Sequence, residues 1–167
     1  IEKLEKKLIL AKKNNKLPKI LACVHFAGQS CDMESIYELS LIYNFKILED
    51  ASHAIGATYK EYKVGSCKFS DITVFSLHPV KIITSGEGGI ATTNDEVLAS
   101  KMNLLVSHGI KKGNVDVDKS NRDEIWSYEQ LSLGFNFRLT DIQAALGLSQ
   151  LLKLEKFVNI RNSIALK

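Results

Sequence analysis

The sequence predicts an α/β layer structure built on a mostly parallel sheet. Three observations predict it: apolar runs at 20–24, 45–48, 72–77 and 90–93 that are too short for helices, segments of helical period between them, and capping residues where those segments begin. In such sheets ligands bind beyond the carboxyl ends of the strands, which says where chemistry is to be sought.

The elements follow in order. Ile1, Leu4, Leu8 and Ala11 share one face of an amphipathic helix that Asn14-Asn15 stops. After Pro18, Ile20 to Val24 reads as a buried strand, broken by Gly28. Asp32 stands at an N-cap, and Ile36, Leu39 and Tyr43 mark the buried face of a second helix. Phe45 to Leu48 is the next strand and ends in Glu49-Asp50. A polar connection, Gly56 to Phe69, leads to a third strand, Ile72 to Leu77. His78 to Gly89 holds a proline and three glycines and reads as a loop, and Ile90 to Thr93 is a fourth strand. Asn94 or Asp95 caps a third helix that runs towards Leu105 and ends by Gly109. Residues 110–127 read as a surface loop. Thr140-Asp141-Ile142-Gln143 is a capping box that opens a long helix, with any bend expected near Gly147. The leucines of that helix (Leu146, Leu148, Leu151, Leu152, Leu154) read as core or interface.

Composition narrows the class. A chain of 167 residues supports one core, so 1–167 reads as a single domain. Its net charge of +3 and scattered lysine pairs do not make a nucleic-acid surface. No stretch approaches the roughly 18 apolar residues that span a bilayer, and the charged N-terminus is no signal peptide. Cys23, Cys31 and Cys67 are odd in number and form no C-x-x-C, which suits free thiols in a reducing, cytoplasmic setting. Cys23, His25 and Cys31 lack paired zinc spacing, so no metal is expected. The sequence starts without Met and stops at Lys167, in each case inside a helical pattern, so a piece of a longer chain is expected.

Two strand ends carry candidate chemistry. Asp50 closes one strand, and Lys81 follows another by four residues, so a parallel sheet sends both to one edge. The plain reading is a salt bridge. Pro79 and Gly86-Glu87-Gly88-Gly89, however, hold Lys81 in a stiff turn that lets backbone pass close to a ligand. A lysine attacks a carbonyl only when unprotonated, and its ordinary pKa is about 10.4. A cationic Schiff base removes that obstacle, and a carboxylate on a protonated pyridine nitrogen completes the signature of pyridoxal phosphate chemistry. Gly86 to Gly89 is no P-loop: it lacks the trailing Lys-Ser/Thr and precedes a strand. No Gly-x-Ser-x-Gly elbow is present.

Three runs then carry a resemblance. Ile47-Leu48-Glu49-Asp50-Ala51-Ser52-His53-Ala54-Ile55-Gly56-Ala57 resembles the acid-bearing strand of the DegT/DnrJ/EryC1/StrS sugar aminotransferases. Ser70 to Lys81, followed by Gly86-Glu87-Gly88-Gly89, resembles their lysine motif, and Gly134-Phe135-Asn136-Phe137-Arg138-Leu139-Thr140-Asp141-Ile142-Gln143-Ala144-Ala145 their third motif. Ala27-Gly28-Gln29, His78-Pro79-Val80-Lys81 and Trp126-Ser127-Tyr128-Glu129 before Leu133-Gly134 are most similar to the branch that serves pseudaminic acid biosynthesis.

The resemblance implies a partial large domain of a fold-type-I aminotransferase, three-layered α/β/α, with an N-terminal segment and a small C-terminal domain outside these residues. It implies pyridoxal 5'-phosphate as cofactor, a UDP-linked 4-keto-6-deoxy-N-acetylhexosamine as acceptor, an amino-acid donor such as L-glutamate, and a homodimer with shared sites. By the same resemblance Lys81 forms the internal aldimine and shuttles the proton, and Asp50 pairs with the ring nitrogen. Ser76 donates to the phosphate, Asn136 reaches the phosphate of the neighbouring subunit's cofactor, His53 lies near the ring hydroxyl, and Arg138 faces an anionic substrate group. Each has a bland counterpart: Ser76 as a strand-end partner, His53 as a polar residue opening a helix, Arg138 as a structural ion pair, Asn136 and Glu87 as turn residues. Alternatives for the whole chain are a pyridoxal phosphate sugar dehydratase of the same family, whose members carry His where Lys81 stands, and a truncated non-catalytic module.

Overall fold

The computed structural model describes residues 1–112 and 128–167. The chain forms two compact units, residues 1–94 with 140–167, and residues 95–139.

The first unit opens with helix α1 (Glu2–Lys13), whose acidic first turn and basic last turn complement its dipole. Of the predicted apolar face, Leu8 is buried and Leu4 packs beside it. Strand β1 (Ile20–Val24) ends in a single 3-10 turn at Phe26–Gly28. Asp32 caps helix α2 (Met33–Tyr43), accepting from the Ser35 N–H at 3.4 Å. Ile36, Leu39 and Tyr43 are buried as their spacing predicts. Strand β2 (Lys46–Asp50) follows and takes in Asp50 itself.

The polar connection after β2 holds a small hairpin that periodicity does not reveal, β3 (Thr58–Tyr59) and β4 (Tyr62–Lys63). Two-residue strands are too short to show an alternation; Lys60 at φ 53° makes the turn, and Tyr59 and Tyr62 set ring edges against Phe69. Strand β5 (Ile72–Ser76) lies parallel to β2, as β2 does to β1, and strand β6 (Gly89–Thr92) lies antiparallel to β5. The order β1-β2-β5-β6 is thus mostly parallel. The exception follows from chain length, because the 77–88 loop carries no crossover helix and a strand returning without one must run back along its neighbour.

Side chains alternate across a strand. In β2, Ile47 and Glu49 are buried while Leu48 and Asp50 are half-buried. The buried face meets α1 and α2, where Leu8, Met33, Ile36 and Leu39 close on Cys23, Phe45 and Ile47. Full burial of each such aliphatic side chain contributes about 1.5–3 kcal/mol.

The second unit begins with helix α3 (Glu96–Leu105), capped by Asp95, which accepts from Val97 and Leu98. Strands β7 (Ile110–Lys112) and β8 (Tyr128–Gln130) pair antiparallel, so residues 110–112 are strand and not loop. The rest of the expected loop, together with Trp126 and Ser127, lies outside the described residues.

The chain then rejoins the first unit. Thr140 caps helix α4 (Asp141–Leu151) with both bonds of the capping box in place. Helix α5 (Leu154–Ala165) follows a break at Leu152–Lys153, not at Gly147. Gly147 has another use, since a Cβ there stands 3.4 Å from the Ser85 Cβ and lets α4 approach the lysine-bearing loop. Leu146, Leu148, Leu151 and Leu152 are exposed in this chain, and Leu154 packs over Gly56. No helix among the described residues is long and apolar enough to cross a membrane.

Candidate active site

The parallel pair β2 and β5 places Asp50 and Lys81 beyond the same edge of the sheet. Asp50 is the last residue of β2 and sits opposite Val24, the last residue of β1, and opposite Val74 in the middle of β5. The Ser52 N–H donates to its Oδ1 at 3.0 Å. The Ser52 hydroxyl first, then that N–H, hold the Asp50 carboxyl below the ordinary aspartate value against a modest burial penalty; the charges of His53 and Lys81 act in the same direction. Asp50 is therefore an ionised acceptor within the electrostatic reach of Lys81.

Lys81 stands in a loop that is tied at both ends. Its N–H donates to the His78 carbonyl at 3.0 Å. The Leu77 N–H donates to Gly88 O at 2.8 Å, and Leu77 O accepts from the Ser85 N–H at 3.1 Å and the Thr84 hydroxyl at 2.8 Å. Leu77, Ile83 and Ser85 are buried. A loop with its apolar residues inserted and its backbone bonds closed holds the lysine in place without a helix or strand.

A cavity of about 700 Å³ opens between these segments, with Gly28, Ser52, His53, Lys81 and Arg161 on its wall. His53 Nδ1 accepts the Ala27 N–H at 3.2 Å, and its ring meets Phe26 edge-on at 5.8 Å. His53 thus carries its hydrogen on Nε2 when neutral. Ser76 is half-buried at the end of β5, and its Oγ accepts the His78 N–H at 3.3 Å, so its hydroxyl hydrogen remains available. Glu87 lies 3.6 Å from His78 Nε2, on the exposed side of the loop.

Asn136 and Arg138 belong to the second unit. Asn136 forms a bridge to Ser107, and its Oδ1 accepts from Arg138 Nε at 3.1 Å. Among the described residues no carboxylate pairs with Arg138. Phe135 and Phe137 stack at 5.0 Å beside this pair.

Behind Asp50 lies a group that the sequence reading passes over. Glu49 is buried at 5% exposed, and its Oε2 is 2.6 Å from Nε2 of His25, itself 0% exposed. Glu49 Oε1 accepts from the Ser70 hydroxyl and from Thr73 Oγ1 at 2.9 Å. Burial pushes the Glu49 carboxyl up, but the bonds from His25, Ser70 and Thr73 outweigh it and hold the carboxyl below the ordinary glutamate value. The available signal was the doublet Glu49-Asp50, since alternation sends one of two adjacent strand acids to each face.

The site thus presents a lysine in a closed loop and an ionised aspartate whose carboxyl feels the lysine's charge, at the edge where parallel strands end. The model of the DegT/DnrJ/EryC1/StrS aminotransferase family matches residues 4–167. The chain belongs to this family. It is similar to the UDP-4-amino-4,6-dideoxy-N-acetyl-beta-L-altrosamine transaminase of Campylobacter jejuni, at 43% identity over 145 residues, 87% of this chain and 35% of that protein. Among solved structures it matches PseC of Helicobacter pylori, an aminotransferase involved in the biosynthesis of pseudoaminic acid, with a TM-score of 0.75 and 39% identity over 89% of this chain and 37% of that one. It also matches Spr1654 of Streptococcus pneumoniae in its PLP form, with a TM-score of 0.72 and 29% identity over 88% of this chain and 39% of that one. The chain spans little more than a third of the length of the curated relatives it matches.

Proposed function

We propose that this chain is the C-terminal portion of the cofactor-binding large domain of a pyridoxal phosphate-dependent sugar aminotransferase. The acceptor is a UDP-linked 4-keto-6-deoxy-N-acetylhexosamine and the donor an amino acid, L-glutamate in the first instance. The observation that carries the reading is the ionised Asp50 carboxylate, held by Ser52 and felt by Lys81 from the neighbouring strand end. The altrosamine transaminase likeness supports the acceptor, and the aminotransferase family supports the reaction.

The residues present fit the cofactor. A half-buried carboxylate kept charged, a lysine in a tied loop and a strand-end hydroxyl supply a partner for a pyridinium nitrogen, an amine for an aldehyde and a donor for a phosphate. Pyridoxal phosphate, when bound, supplies the electron sink that makes a carbon–hydrogen bond next to nitrogen acidic. Lys81 would hold the cofactor through its Nζ, and its amine would serve to move a proton at the reacting carbon. Asp50, by staying ionised, would favour a protonated ring nitrogen, Ser76 would donate to the phosphate, and the Nε2–H of His53 would serve the ring hydroxyl. Asn136 reaches across to the cofactor of a second subunit, and Arg138, fixed by Asn136, faces an anionic substrate group. In a reducing, cytoplasmic compartment Cys23, Cys31 and Cys67 stay as free thiols, as they stand here.

The test is direct. Full-length protein loaded with pyridoxal phosphate and reduced with borohydride is expected to carry the cofactor's mass on the Lys81 peptide. With L-glutamate it is expected to convert UDP-4-keto sugars to amines, seen as product mass. Lys81→Ala is expected to lower turnover by about 10³-fold or more; a Lys81→Ala protein that still turns over overturns the reading. A product that has lost a hydroxyl without gaining an amine indicates a dehydratase instead. Mixing Lys81→Ala with Asn136→Ala subunits is expected to restore part of the activity, and a mixture as dead as its components overturns the shared site.

A further inference from the structure

We propose that His25 is a positioning residue for the cofactor ring: a neutral, fully buried imidazole that sets Asp50 from behind the sheet and His53 from the side. The inference rests on the pyridoxal phosphate reading given above, but its evidence is the bonding of the β1–α2 loop.

Five bonds converge on or around this histidine. Its backbone N–H donates to the Asp50 carbonyl at 3.0 Å, continuing the β1–β2 ladder one step past the Val24–Asp50 pair. Its Nδ1 accepts the Cys31 N–H at 3.2 Å, which closes the loop of residues 25–31. A nitrogen that accepts an amide N–H carries no hydrogen, so the imidazole is the Nε2–H tautomer. That hydrogen is donated to Glu49 Oε2 across 2.6 Å, and Glu49 is in turn bonded by Ser70 and Thr73 from the β5 side. The network therefore ties three adjacent parallel strands together at the level of Asp50.

The consequence for Asp50 is geometric. Successive strand side chains leave opposite faces. With the Glu49 side chain held behind the sheet by three donors and the Asp50 carbonyl held by the His25 N–H, the pleat is fixed and the Asp50 carboxylate leaves on the other face. The same loop acts on His53. The Ala27 N–H, two residues from His25, donates to His53 Nδ1 at 3.2 Å. Gly28, at φ +88°, lies so close that a Cβ there meets the His53 carbonyl oxygen at 3.1 Å. Releasing the loop at His25 frees both side chains expected around the ring.

The test uses full-length protein loaded with cofactor labelled with ¹⁵N in the pyridine ring. His25→Gln keeps a donor and an acceptor at altered positions, and Glu49→Gln keeps the shape while removing the charge. The proposal expects both variants to move the ring-nitrogen resonance towards its unprotonated position and to weaken cofactor binding about tenfold, the scale of one well-placed hydrogen bond. A merely structural role lowers thermal stability without moving that resonance, and such a result overturns the proposal. Asp50→Asn is the internal control. If it moves the resonance while the His25 and Glu49 variants do not, the cofactor reading stands and the positioning role falls; if wild-type protein binds no cofactor at Lys81, the reading itself falls. Should neither variant fold, ¹⁵N-histidine spectra of the wild-type protein decide: an Nε2–H tautomer at His25 supports the arrangement, and an Nδ1–H tautomer overturns it.

Discussion

Glu49 and Asp50 are consecutive acids on one strand, and the sheet treats them oppositely. Glu49 is 5% exposed and bonded by His25, Ser70 and Thr73. Asp50 is half-buried, and among the described residues only Ser52 bonds its carboxylate. Both carboxyls are held below their ordinary values, so both are ionised near neutral pH. What separates them is saturation. A buried carboxylate with its lone pairs used holds strands together, whereas one with lone pairs to spare at a strand end is available to a ligand.

The comparison breaks most visibly at Glu49. Glu49→Ala leaves the donors of His25, Ser70 and Thr73 without their shared acceptor and, at about 1–3 kcal/mol for each buried donor left unsatisfied, is expected to give a clear fall in denaturation midpoint. An unchanged midpoint removes the structural half of the contrast. At Asp50 the effect is expected to move from stability to chemistry. Asp50→Asn keeps the shape, leaves the midpoint close to wild type, and lowers turnover of the loaded full-length protein by on the order of 10²-fold, about 2.7 kcal/mol of barrier. A variant that unfolds instead of losing turnover shows that the two acids share one role.

The smallest effect is in acid. The folded value of Glu49 lies below its ordinary 4.5. The stability it contributes is therefore fully present above the unfolded-state carboxylate value and is lost as pH falls through the lower, folded one. Glu49→Gln, with nothing to protonate there, is expected to flatten the pH dependence of the denaturation midpoint below about pH 4.5. An identical acid limb in variant and wild type sinks the assignment.

Much of the fold was legible because it depends on local signals. The run Ile20–Val24 is the observed strand residue for residue, Asp32, Asp95 and Thr140 cap the helices they announce, and the buried face of α2 is the one its spacing marks. The failures have a common cause in contacts between distant residues. Gly147 looked like a helix breaker and is a close-packing position facing Ser85. The hairpin at Thr58–Lys63 is held by rings on Phe69 and not by any alternation. As candidates for the site, Asp50 and Lys81 were legible from the strands they lie next to, Asp50 closing β2 and Lys81 in the loop after β5. His25 was weighed only with its neighbouring cysteines, and its partner lies 24 residues away on another strand.

The sequence by itself determined the elements, their caps and the family motifs, because propensity, period and turn chemistry act over a few residues. Only the tertiary structure decided that β6 runs antiparallel, that of two adjacent acids one is saturated within the sheet and the other, among the described residues, bonded by Ser52 alone, and that a buried histidine stands behind the latter. Those outcomes depend on which strands become neighbours and in what register, and no local stretch of chain carries that information.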